Sequence, residues 1–111
     1  VSGYVADAGV VSAVMRRPEV SDVSSERPQA ALEVVVAPAD EFASERRYVL
    51  ELFDAYAEFV EAEAGRLRGL TVLFGGHLRT EPEAPLSVAV TSFAIALESL
   101  DILLERREEP V

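Results

Sequence analysis

Cysteine, lysine, asparagine and tryptophan are all missing from this 111-residue chain. Without cysteine there is no disulfide, no thiol nucleophile and no cysteine-based zinc site. Without lysine there is no Schiff-base chemistry. All ten basic residues are arginine, a bias of the kind a GC-rich genome produces. Positive charge is scarce: ten arginines and one histidine stand against twenty carboxylates, giving a formal net charge of -10 and a pI near 4.5. An excess of carboxylates repels phosphate backbones and anionic lipid, so direct contact with nucleic acid or a membrane surface is not expected. It favours solubility, a basic partner or bound cations.

Long apolar runs are missing too. The most apolar stretch, 86–97, is about half of the ~20 residues that cross a bilayer, and Glu98 and Asp101 end it. Residues 1–15 lack a basic leading region and Asp7 interrupts them, so no targeting signal is expected there. The expected location is the cytoplasm, or a particle assembled in it. Half of the residues are hydrophobic, which is ample for a folded body. The length fits one domain, with an N-terminal segment and linker over 1–30 and a helical body over 31–111.

Apolar periodicity then predicts elements. Val10, Val11, Val14 and Met15 suit a short helix within 4–17, ended by Pro18. Serines, acids and prolines over 18–29 read as linker. Val34, Val35 and Val36 read as a short strand over 31–37. Asp40 is a candidate N-cap for a long helix. Its apolar side would carry Val49, Leu52, Phe53, Tyr56, Phe59, Val60 and Leu67. That helix would stop near Arg68, or run to Phe74 with Gly75-Gly76 as its terminator. A loop follows over 77–84, and a last helix over 85–107 starts at Pro85. The expected fold is mainly α, an antiparallel helical hairpin with a short N-terminal helix and strand. The alternative is a small α+β domain, with a βαβ unit whose strands are 31–37 and 70–74.

The last helix would be apolar on two sides. Beside its main face, Val88, Ile95 and Ile102 recur every seven residues, with Ser92 and Ser99 small enough to allow close approach. Burying a Val or Ile side chain is worth roughly 1.5–3 kcal/mol, so an uncovered second stripe forfeits several. Val88, Ser92, Ile95, Ser99 and Ile102 are therefore the candidate interface between copies of the chain.

Other residues carry weaker signals. Glu51, Asp54, Glu58 and Glu61 would line one face of the long helix as a solvated ridge, or as a docking face for a basic partner. His77 is an isolated loop imidazole, with Glu81 and Glu83 as the nearest acids along the chain. Phe74 stands three residues before it, where a di-metal bundle would need Glu. Gly75-Gly76 is not followed by Lys-Ser/Thr, so it makes no phosphate loop. Tyr48, Phe53, Tyr56 and Phe59 read as core. The pairs Arg16-Arg17, Arg46-Arg47 and Arg106-Arg107 read as ion-pairing residues. No catalytic constellation, metal set or cofactor motif stands out. The functional expectation is a non-enzymatic assembly protein that associates with itself, such as a virion component. The alternative is an acidic adaptor or chaperone for a basic or hydrophobic protein.

Overall fold

A different periodicity governs the folded chain. A computed structural model describes residues 3–15, 29–79 and 86–108. Side chains alternate between two environments along most of its length, as they do in strands. In β2 (Gln29–Val36), Ala30, Leu32, Val34 and Val36 point inward and are buried. In β3 (Arg46–Phe53), Tyr48, Leu50 and Leu52 do the same. A helix α1 (Asp54–Glu63) and a 3-10 turn (Ala64–Arg66) lead into β4 (Thr71–Arg79). Strand β5 (Ser87–Ile95) and helix α2 (Leu97–Glu108) complete the described chain, which opens with the 12-residue β1 (Tyr4–Met15).

The strands close into a barrel in the order β1-β2-β3-β5-β4. β1 is long enough to serve two neighbours. Its first half pairs with β4, from Tyr4 opposite His77 to Val10 opposite Thr71. Its second half pairs with β2, across a bulge between Val11 and Ala13. All pairings are antiparallel except β3 with β5, which run parallel over Val49–Glu51 and Ser87–Ala89. Val11, Leu32, Val34, Leu50, Leu52, Val72 and Val88 fill the interior. α1 lies against β2 and β3 and adds Ala57 and Val60 to the same core. Tyr48 and Phe74 meet edge to face, 5.7 Å apart, and the Arg46 guanidinium lies 6.0 Å from the Tyr48 ring centre. α2 is fastened by three contacts. Leu103 enters the core, the Thr71 amide donates to the Ser99 hydroxyl at 2.9 Å, and Arg106 donates to the Arg66 and Arg68 carbonyls at 2.7 Å each.

The mainly α hairpin is therefore incorrect, and each displaced element has a physical reason. The segment 4–15 is a strand: its valines satisfy either periodicity, and pairing on two sides decides. The expected long helix splits into β3 and α1. Val49 sits on the outer face of β3 among inward Tyr48, Leu50 and Leu52, and so disguised a period of two. Asp40 caps no helix. Its Oδ1 accepts from the Phe42 and Ala43 amides at 2.8 and 2.9 Å in a turn within the β2–β3 connection. Gly75-Gly76 lies inside β4, beside a bulge opposite β5. A Cβ on Gly76 would collide with the Ala89 carbonyl, so glycine is what lets the two strands approach. The last helix divides into β5 and α2, and Pro85 lies outside the described residues. The βαβ alternative fails as well: 31–37 and 71–74 belong to β2 and β4, which are not neighbours in the barrel. The linker 18–29 falls almost wholly outside the described residues.

Candidate functional site

Register defines a continuous surface on the outside of β2 and β3. Val35 lies opposite Arg47, Glu33 opposite Val49, and Ala31 opposite Glu51. Neighbouring strands extend these rows, with Val10 beside Val35, and with Ser87 and Ala89 beside Val49 and Glu51. Phe53 ends the face on β3, half-buried. On this face Ala31 is buried, Glu33, Val35, Val49 and Glu51 are half-buried and Arg47 is exposed; α2 packs elsewhere, against β4, the 3-10 turn and, through Arg107, Glu63 of α1. The connection 37–45, which joins β2 to β3 beyond Val36 and Arg46, presents Phe42, 89% exposed. Asp40 fixes that turn through the two amide hydrogen bonds already described.

The charged groups here pair with one another. Glu33 Oε1 accepts from the Ser12 hydroxyl at 2.8 Å and from Arg47 Nη1 at 3.2 Å. Arg47 Nη2 lies 3.6 Å from Glu45 Oε1. Arg46 Nη2 meets Asp7 Oδ2 at 3.2 Å, and the other Asp7 oxygen accepts from the Ala8 amide. The pairing expected of the arginine doublets is thus realised at 46 and 47. It recurs on α2, where Arg107 joins Glu63, which also meets Arg66 at 3.6 Å. Arg16 and Arg17 lie outside the described residues.

The helical side of the molecule is different. Tyr56, Phe59 and Phe93 meet edge to face at 6.1 and 6.4 Å. With Ile95, Leu100 and Leu103 they line an open apolar groove of about 390 Å³ between α1, β5 and α2. The two helices carry eight carboxylates: Asp54, Glu58, Glu61 and Glu63, then Glu98, Asp101, Glu105 and Glu108.

The residues singled out in the sequence scatter across these regions. Val88 is fully buried in the barrel, Ser92 is exposed on β5, and Ile95 is half-buried at its end. Ser99 is buried and hydrogen-bonded, and Ile102 is 42% exposed on α2. A seven-residue stripe needs one helix, and a strand followed by a helix breaks it. Asp54, Glu58 and Glu61 are exposed on α1, but Glu51 is half-buried on the outer face of β3. His77 is on β4 rather than in a loop, with its ring 5.5 Å from Tyr4. Glu81 and Glu83 lie outside the described residues. Tyr48 is core as expected, whereas Phe53, Tyr56 and Phe59 are partly open. No group of three or more potential metal ligands occurs among the described residues. The same residues contain no helix long and apolar enough to cross a membrane. Ser12, Glu33 and Phe42 carry no signal in the sequence, and Val35 and Val49 read there only as strand and helix residues; strand register is what brings Ser12, Glu33, Val35 and Val49 together.

A five-stranded closed barrel of this order is the oligonucleotide/oligosaccharide-binding (OB) topology, in which the face of strands 2 and 3 is a common ligand surface. No family model matches the chain, and no curated protein matches it in sequence. Solved structures do match in fold. The second single-stranded DNA-binding protein (SSBb) of Mycobacterium smegmatis superposes with a TM-score of 0.63 at 15% identity, over 100% of this chain and 98% of that one. A small single-stranded DNA-binding protein from Streptomyces coelicolor gives 0.54 at 12% identity, over 87% and 96%. This likeness establishes the fold and overturns the helical assembly protein, its virion setting and the adaptor alternative; the last helix on which self-assembly rested divides into a strand and a shorter helix. It also overturns the exclusion of nucleic acid from net charge alone: a barrel of this kind belongs to two proteins named for binding DNA.

Proposed function

We propose that the chain binds single-stranded nucleic acid along the outer face of β2 and β3. The observation that carries this reading is that face itself, where among the described residues half-buried Val35 and Val49 adjoin the exposed Arg47, and where one arginine stands against two glutamates in an otherwise acidic protein. Nucleobases pack on apolar and aromatic side chains, and phosphates seek arginine. The face offers both, with Phe53 at the end of β3 and Phe42 in the β2–β3 connection for stacking. Phosphate repulsion is set by the local field more than by the sum over the chain. Eight of the twenty carboxylates lie on α1 and α2 rather than on the strands. The two DNA-binding structures above support the same reading through the shared barrel. Binding, rather than catalysis, is the activity proposed.

With few arginines available, the salt dependence is shallow. A strand that meets one or two phosphate partners gives a log–log slope of about -0.7 to -1.4. The test is fluorescence anisotropy with a labelled oligothymidylate of about 20 nucleotides, longer than the roughly 4–16 that one OB barrel covers. Binding with that slope, and weaker binding to a duplex of equal length, are the expected results. No change in anisotropy at low salt, with protein at high micromolar concentration, overturns the proposal.

A further inference from the structure

The second inference rests on that nucleic-acid reading. Both barrel arginines whose side chains are described, Arg46 and Arg47, are already held by carboxylates of the chain itself. Glu33 stands at the middle of the β2–β3 face. One of its oxygens accepts from Arg47 at 3.2 Å and from the Ser12 hydroxyl at 2.8 Å. We propose that Glu33 is a built-in competitor of the strand, occupying on Arg47 the place a backbone phosphate would take, and so setting how tightly the face holds nucleic acid.

The chemistry of the two acceptors is the same. Carboxylate and phosphate each offer an anionic oxygen to a guanidinium N–H. The Arg47 side chain is 59% exposed and that of Glu33 32%, so solvent and a strand reach both. An exposed pair of this kind is weak, and an arriving phosphate displaces it rather than being shut out. Ser12 makes the competitor specific. It donates to Glu33 Oε1 and also approaches the Glu33 carbonyl at 3.1 Å, anchoring the side chain across β1 and β2. A displaced Glu33 therefore stays near the strand, and its charge opposes the phosphate that took its partner. Glu45, 3.6 Å from the other Arg47 nitrogen, acts in the same sense from a looser position.

Glu33→Gln removes the charge and keeps an acceptor for Ser12. It is expected to tighten oligothymidylate binding about three- to tenfold, with the log–log salt slope changed by less than about 0.7, because a phosphate reaches Arg47 in both proteins. Arg47→Ala weakens binding, and the double variant Glu33→Gln/Arg47→Ala binds no better than Arg47→Ala alone. Thermal unfolding followed by circular dichroism confirms that each variant is folded. Two results overturn the competitor: Glu33→Gln binds no tighter than the parent, or its gain survives without Arg47. Either of these with a parent that binds leaves the nucleic-acid reading standing. If neither the parent nor Glu33→Gln binds, both readings fall. If only Glu33→Gln binds, the competitor is supported in its strongest form.

Discussion

On the outer face of β2 and β3, two glutamates and one arginine lie among valine and alanine. Along α1, α2 and the turn between α1 and β4, eight carboxylates and four arginines accompany an aromatic groove. Three of those four are committed, Arg66 and Arg107 to Glu63, and Arg106 to backbone carbonyls. The two regions are built from similar residue types. They differ in where the charge sits relative to the apolar surface. The strand face carries a net charge of -1 and the helical region -4, so a polyanion meets less repulsion over the strands. A net charge of -10 is thus unevenly spread, and a single total conceals the difference between these two regions.

The contrast can be broken or sharpened by substitution. The largest effect is expected inside the barrel that supports both regions. Val88→Asp places an unpaired charge in a fully buried site and costs more than about 4 kcal/mol, enough to abolish the cooperative thermal transition. Ile102→Asp, 42% exposed, shifts stability by less than about 1 kcal/mol. Equal damage from the two would restore the helical stripe. Gly76→Ala comes next. Its new methyl meets the Ala89 backbone, and parting β4 from β5 costs about 1–3 kcal/mol, read as the urea midpoint.

The face-to-helix contrast itself is tested by charge. Val49→Glu is expected to lower oligothymidylate affinity at least about tenfold, or 1.4 kcal/mol, with the melting temperature nearly kept. Glu58→Gln, on α1, leaves affinity within about twofold. Similar losses from both would mean that the strand does not discriminate between the regions. The smallest effect belongs to the ion pair beside Tyr48. Arg46→Ala removes an exposed pair and lowers stability by at most about 1 kcal/mol in the same melt.

How much of this was legible in the residues depends on the range over which each signal acts. Val34 to Val36 announced β2, because three adjacent β-branched residues suit little else. The helical spacing over 54–63 and 97–108 was sound, but in each case it was extended backwards through a strand. Tyr48 to Leu52 alternates, yet Val49 is as apolar as its inward neighbours, and one valine erased the pattern. Val88 and Val90 alternate too, but Phe93 and Leu97 offered a competing period of 3.6. The glycine pair was read as a local stop. Its purpose, a close approach to Ala89, lies across the barrel and has no local trace. The site suffered most, since Ser12, Glu33 and Arg47 are separated in sequence and meet only once register is set.

The parallel seam between β3 and β5 has a consequence for how the molecule comes apart. It spans three residue pairs, against eight between β2 and β3. The barrel is therefore a pair of leaves, β1-β2-β3 and β4-β5, clasped firmly along one margin and lightly along the other. Thermal breathing should begin at the light clasp, beside Val49, so that the surface assigned to the strand borders the first line along which the cylinder can gape.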